Sequence, residues 1–206
     1  MTPLPQGAPP PERARVAVFC GGSAGAGLPY LEAARALGQS LGRRGLGVVY
    51  GGASVGLMGA LADGALGVGG EVIGVLPWLL DRREVAHRGL TQLHLVSSMP
   101  ERKALMASLS SGFLALPGGY GTLDEIFEAV TWTQIAFHDK PCVLINVRGY
   151  YDQLLAFLGT AEREGLLKPE YRPMLRSAPD AEAAIELLVR HPSFGLGSAA
   201  LPAPPG

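Results

Sequence analysis

Phe113-Leu114-Ala115-Leu116-Pro117-Gly118-Gly119-Tyr120-Gly121-Thr122-Leu123-Asp124-Glu125 is the stretch that decides the fold. An apolar run of strand length stops at Pro117, which cannot donate to a central ladder. Glycines at 118, 119 and 121 then let the backbone turn tightly and approach a ligand closely. A long helical pattern follows, expected over 122–137. Strand, Gly-rich turn and helix start together make an anion site, because the free N–H groups and the positive dipole end at a helix N-terminus favour a phosphate. The same residues also fit a plain βα turn, with Thr122 capping the helix and Glu125 reaching back to the Thr122 N–H in a capping box. Spacing alone does not separate the two.

Outward from this stretch the pattern repeats. Upstream, apolar strands are expected at 15–20, 46–50, 71–76 and 92–96, with helices over 29–43, 57–67 and 100–110. Downstream come a strand at 141–147, a helix over 150–164, a last strand near 174–177 and a helix over 179–190. Continuous apolar strands, each followed by a helix, indicate a parallel sheet covered on both faces. The expected fold is therefore α/β, a doubly wound parallel sheet in a Rossmann-like three-layer sandwich. Ligands in such sheets bind beyond the carboxyl ends of the strands. The Gly-rich turns at 21–27, 51–56 and 118–121 all follow strands, so they can converge on one crevice.

Composition narrows the function. The chain has 206 residues, 48% hydrophobic and 17% charged, which describes one core in a globular protein rather than a disordered chain. Residues 1–14, with five prolines, and 195–206, rich in Gly, Ala and Pro, read as flexible tails around a single domain of 15–194. A net charge of −1 gives no concentrated basic surface for nucleic acid or an anionic membrane. Cys20 and Cys142 lie far apart in apolar strand patterns, which favours buried reduced thiols over a disulfide or a metal site. His87, His94 and His138 have no ligand spacing either. Without a leader pattern or a membrane-length apolar run, a cytoplasmic protein is expected.

Two further stretches could carry chemistry. Gly51-Gly52-Ala53-Ser54-Val55-Gly56 lacks the GxGxxG spacing and a ribose-binding acid about twenty residues on, so a dinucleotide is a poor fit. It serves either as a tight turn or as a nucleotide-lining loop. Arg102 and Lys103 stand at the start of a helix, where cations oppose the dipole; such a local mismatch can mark function.

Pro117-Gly118-Gly119-Tyr120-Gly121-Thr122-Leu123-Asp124-Glu125 resembles the PGGxGTxxE motif of the LOG ("Lonely guy") family, the cytokinin riboside 5′-monophosphate phosphoribohydrolases. The resemblance runs from about Val16 to about Val189 and takes in Gly51–Gly59, Arg102-Lys103 and Gly149-Tyr150-Tyr151. Ala53 replaces a usual glycine, and Pro100 replaces a common histidine. The resemblance implies that Arg102 and Glu125 are the catalytic pair. Substrate-binding residues would be Glu84, Lys103, Thr131 and the motif residues Gly118, Gly119, Tyr120, Gly121, Thr122, Leu123 and Asp124. Ser23 and Gly52, on the other Gly-rich turns, complete that set.

The implied reaction cleaves the N-glycosidic bond of AMP or an N6-modified AMP to free base and ribose 5-phosphate, without metal or organic cofactor. A homodimer or dimer-based oligomer is implied too, and the apolar residues of 122–137 form a wider face than a sheet needs. One rival is a non-catalytic binding or carrier protein for a phosphorylated nucleotide-like ligand, similar to molybdenum cofactor carriers. The other is a lysine decarboxylase, which needs a Schiff-base lysine; only Lys103, Lys140 and Lys168 are available.

Overall fold

A computed structural model describes residues 14–25, 27–81 and 86–195. The expected tails therefore lie outside the described residues, apart from Ala14 and Gly195. The strands are β1 (Arg15–Phe19), β2 (Gly47–Tyr50), β3 (Val72–Pro77), β4 (Gln92–Val96), β5 (Gly112–Ala115), β6 (Cys142–Ile145) and β7 (Leu175–Ala178). Between and after them run α1 (Leu28–Arg43), α2 (Gly56–Leu66), the single turn α3 (Trp78–Asp81), α4 (Met99–Ser108), α5 (Tyr120–Gln134), α6 (Asp152–Arg163) and α7 (Ala181–Val189). All strands are parallel, in the order β4-β3-β2-β1-β5-β6-β7. The doubly wound sandwich read from the sequence is the fold observed.

Alternation along the strands divides the core. Val16, Val18, Leu114, Val143 and Ile145 face one layer with Leu37, Leu41, Leu61 and Leu188 of α1, α2 and α7. Ala17, Phe19, Phe113, Ala115 and Leu144 face the other with Met106 of α4 and Ile126 of α5. The inner strands are buried on both faces, as continuous apolar runs require. β4 is different: it is an edge strand, with Gln92 and Leu95 exposed.

Small residues set how closely α1 and α2 pack. A Cβ on Gly38 would collide with the Leu61 carbonyl, and one on Gly64 with that of Arg35. Both free cysteines are buried. Among the described residues no helix is long and apolar enough to cross a membrane.

Candidate active site

The sheet order reverses direction between β1 and β5, because β1 leads on to β2 while β5 leads away to β6. Loops leaving two such strands diverge and open a crevice at their carboxyl ends. Here the Gly21 N–H donates to the Pro117 carbonyl at 3.2 Å, tying the first Gly-rich turn to the third. The second joins them at Gly56, whose φ of 58° suits glycine and whose Cβ would overlap the Gly22 backbone. Around this junction lies a cleft of about 170 Å³ lined by Cys20, Gly21, Gly22, Met58, Arg102, Gly119, Gly121, Thr122 and Glu125.

Arg102 and Glu125 meet on its floor. Arg102 Nη1 donates to Glu125 Oε1 at 2.5 Å, and Arg102 Nε donates to the Val75 carbonyl at 3.0 Å. Both side chains are buried, at 6% and 5% exposure. Gly51 makes room for them, since a Cβ there would collide with the Arg102 guanidinium. Burial pushes the Glu125 carboxyl above its ordinary range, and the charge and hydrogen bond of Arg102 only partly offset this. Cys20 lines the same cleft, but burial and the Glu125 charge push its thiol up, so it is a neutral wall rather than a nucleophile.

The capping box expected at Thr122 and Glu125 is not formed. α5 starts two residues earlier, at Tyr120, with Gly119 as its cap and no side-chain cap bond. Thr122 is a buried first-turn residue and Glu125 turns inward to Arg102. The ion pair prevails because a buried guanidinium without a partner costs far more than one uncapped N–H on an accessible helix end. Gly119, Gly121 and Thr122 at the start of α5 line the cleft, at a helix end whose first N–H groups have no intrahelical partner. Gly118 permits this geometry, since a Cβ on it would run into Thr122 Oγ1. α5 also ends at Gln134, so Ile135 and Phe137 lie past it, 60% and 44% exposed.

The other expected site residues divide. Tyr120 is exposed at the helix start, and Asp124 is exposed on its first turns. Lys103 is held by Asp124 at 3.0 Å and Glu128 at 3.1 Å. Burial would lower its ammonium, but the bonds to these carboxylates prevail and raise it. Leu123 of α5 is partly buried against the core. Ser23, next in sequence to the cleft-lining Gly22, is exposed and accepts the Gly25 N–H. Gly52, with φ 81°, packs beside Leu76, Leu93 and Val75 and is not among the residues lining the cleft, and its carbonyl accepts the His87 N–H at 2.9 Å.

Thr131 does not reach the cleft within the chain. Its hydroxyl donates to the Phe127 carbonyl, and six residues past Glu125 it stands about 9 Å along the helix and about 240° around it. Glu84 lies outside the described residues. Gly21 and Gly22 line the cleft as the convergence of the Gly-rich turns led one to expect, whereas the cleft roles of Cys20 and Met58, the Val75 carbonyl that anchors Arg102 and the space supplied by Gly51 were unforeseen. Only the post-strand glycines left a trace in the sequence. Among the described residues no cluster of three metal-binding side chains is present.

A family model described as "Possible lysine decarboxylase" matches residues 58–188. The cytokinin riboside 5′-monophosphate phosphoribohydrolase of Rhodococcoides fascians is 48% identical over 171 residues, 82% of this chain and 86% of that protein. A phosphoribohydrolase of the same name from Arabidopsis thaliana is 45% identical over 174 residues, covering 84% and 82%. Among solved structures, the Moco carrier protein of Chlamydomonas reinhardtii aligns with a TM-score of 0.67 at 23% identity, covering 87% of this chain and 97% of that one. The molybdenum cofactor binding protein of Rippkaea orientalis aligns with the same score and coverage at 24% identity. At such identities these two structures speak to the fold alone.

Proposed function

The chain belongs to the LOG family of cytokinin riboside 5′-monophosphate phosphoribohydrolases, and on that premise we propose that it hydrolyses the N-glycosidic bond of AMP or an N6-modified AMP to free base and ribose 5-phosphate. The observation that carries this reading is the buried Arg102–Glu125 pair opening onto the N-terminal turn of α5.

The 5′-phosphate is bound by the N–H groups of Gly119, Tyr120, Gly121 and Thr122 and by the dipole of α5. That places the ribose over Glu125. As the bond from C1′ to the base breaks, its electron pair leaves with the base and positive charge grows on the ribose. A carboxylate beneath stabilises that charge and accepts a proton from the attacking water, and that proton is passed on to the departing base, so neutral base leaves and the carboxylate is restored. Arg102, fixed by the Val75 carbonyl, orients Glu125 and favours its ionised form against the pull of burial. Energy from the remote phosphate is then used to align the glycosidic bond.

A carrier would need the anion site but not this pair. A decarboxylase would need a lysine free to form a Schiff base. Lys103 is tied to two carboxylates, Lys140 donates to the Ala107 carbonyl at the far end of α4, and Lys168 is exposed beside Glu170.

We infer that the working form is a cytoplasmic homodimer or an assembly of dimers, with 15–194 as its catalytic domain and no nucleic-acid or membrane partner. Supporting this are the buried unbridged cysteines, the near-neutral charge, and the exposed Ile135 and Phe137 beyond α5. The cleft of about 170 Å³ is also smaller than the about 300–1,000 Å³ of sites that enclose a small ligand, which leaves the base to be covered by other elements.

Chromatography of AMP, an N6-prenylated AMP and adenosine incubated with the protein tests the reading. Free base is expected from a monophosphate without added metal, and at least about 10²-fold lower kcat/KM for adenosine. No base from either monophosphate overturns the hydrolase, and equal kcat/KM for AMP and adenosine overturns the phosphate site.

A further inference from the structure

The N-terminal loop of α5 lacks the usual means of holding its shape. Gly119 has no side chain to cap the helix, and Gly118 and Gly119 are the residues with most backbone freedom to lose. A group outside the loop holds it instead. Tyr150 Oη donates to the Gly118 carbonyl at 2.7 Å, and Tyr151 Oη donates to the Leu116 carbonyl at 2.7 Å.

The first of these bonds has a directional consequence. In a trans peptide the carbonyl and the next N–H point to opposite sides. Pinning the Gly118 carbonyl toward Tyr150 therefore aims the Gly119 N–H away from Tyr150, and of these residues it is Gly119 that lines the cleft.

Tyr150 is itself delivered by a constrained turn. Arg148 has φ 54° and Gly149 φ 73°, two successive residues in the left-handed region. A non-glycine residue stays there only where its surroundings over-determine it. Asn146 supplies that constraint: its Nδ2 donates to Asp152 Oδ1 at 2.7 Å and its Oδ1 accepts the Tyr151 N–H at 2.7 Å. The Tyr150 ring stands edge-on to Tyr30 and Tyr151, with centroids 6.0 and 4.9 Å away. Yet Tyr150 remains 44% exposed, so burial of its ring does not account for the turn.

We propose that Tyr150 is a positioning residue for phosphate recognition: its hydroxyl fixes the Gly118–Gly119 peptide so that the Gly119 N–H meets the 5′-phosphate. This rests on the reading that the α5 loop binds that phosphate. Tyr151, bonded one residue before Pro117 and almost fully buried, holds the strand end instead.

The test compares wild type, Tyr150→Phe and Tyr151→Phe by AMP kinetics, calorimetric titration with ribose 5-phosphate, inhibition by adenine, and thermal melting. One hydrogen bond in the phosphate site should lower kcat/KM for AMP and weaken ribose 5-phosphate by about 5–10-fold in Tyr150→Phe. Adenine inhibition and Tm should hardly change. Tyr151→Phe should show the reverse, a clear fall in Tm with a smaller change toward ribose 5-phosphate. Unchanged ribose 5-phosphate affinity in Tyr150→Phe overturns the proposal, as does an equal weakening of adenine and ribose 5-phosphate with a fall in Tm. If wild type releases no base from AMP, the hydrolase reading fails while the ribose 5-phosphate titration still decides the role of Tyr150. Wild type that does not bind ribose 5-phosphate overturns the proposal as well.

Discussion

Two buried cations mark the two ends of α4, Arg102 from within the helix and Lys140 against its last turn, and their surroundings are opposites. Toward the carboxyl ends of the strands, Arg102 faces a carboxylate in a cleft whose rim carries the free N–H groups of α5. At the other end Lys140, 9% exposed, donates to the Ala107 carbonyl at 2.8 Å. It has no carboxylate partner among the described residues. α4 ends at Ser108, so the Lys140 ammonium sits on the negative end of that helix. His138 beside it accepts the Lys140 N–H and stacks on Phe113. Burial, with Lys140 adding to it, pushes His138 down to about 4.

Burial drives Glu125 up and Lys140 down to about 8, so in both places the neutral form gains. What separates a site from a structural contact is therefore not the perturbed group itself. It is whether the group opens on a cleft and faces other groups that want the same ligand. Arg102 and Glu125 meet both conditions, and Lys140 meets neither.

The largest expected effect breaks the cleft pair. Glu125→Gln keeps the acceptor for Arg102 Nη1 but removes the carboxylate, so base release should fall by about 10²-fold or more. The raised Glu125 pKa adds a pH signature. As pH falls through that pKa the carboxylate is protonated and turnover drops, so the acid limb of kcat should lie above the ordinary carboxylate range. Folding should survive, because relief of a desolvated carboxylate partly offsets the loss of Arg102's counter-charge; a cost of about 1–2 kcal/mol is expected in denaturant titration. Near-normal turnover would reduce the pair to the same structural rank as Lys140.

A smaller effect should come from Gly51→Ala. The added methyl displaces the guanidinium, and a catalytic group shifted by about 1 Å can cost on the order of 10²-fold. We expect about 10–10²-fold lower kcat with KM for AMP changed little, because the phosphate loop is untouched. A rise in KM alone would place Gly51 with the binding loop rather than with Arg102.

This pair of regions also shows what was legible in the sequence. Apolar runs and glycines after strands were enough to place seven parallel strands and three turns on one crevice, since both signals are local. The start of α5 was not legible. Thr122 and Glu125 have capping-box spacing, but Glu125 has a competing partner 23 residues away in Arg102, and local pattern cannot weigh that competition. Gly51 and Tyr150 were hidden for the same reason, since each acts on a residue distant in sequence. Lys140 shows no local signal at all: its partner carbonyl belongs to a helix 33 residues earlier.

The smallest effect concerns that lysine and tests the contrast from its structural side. With a folded pKa of about 8 against the ordinary lysine value of 10.5, the unfolded state binds more protons across this interval. Stability must therefore rise with pH between about 8 and 10.5, by up to about 3 kcal/mol from this group alone. Lys140→Met removes the titration. At neutral pH it loses a hydrogen bond and a favourable dipole contact, worth about 1–2 kcal/mol together, while escaping a desolvation cost of about 3 kcal/mol that the lowered pKa implies. The variant should therefore be no less stable than wild type at pH 7. The difference between variant and wild type, by urea titration at pH 7.5 and 10, isolates Lys140 from the other groups that titrate there. Wild type should gain on Lys140→Met as pH rises, and AMP turnover should be the same in both. A flat difference would mean that the Lys140 ammonium is solvated after all. A loss of turnover in a well-folded Lys140→Met would mean that the far end of α4 communicates with Arg102, and that the division between the two regions is wrong.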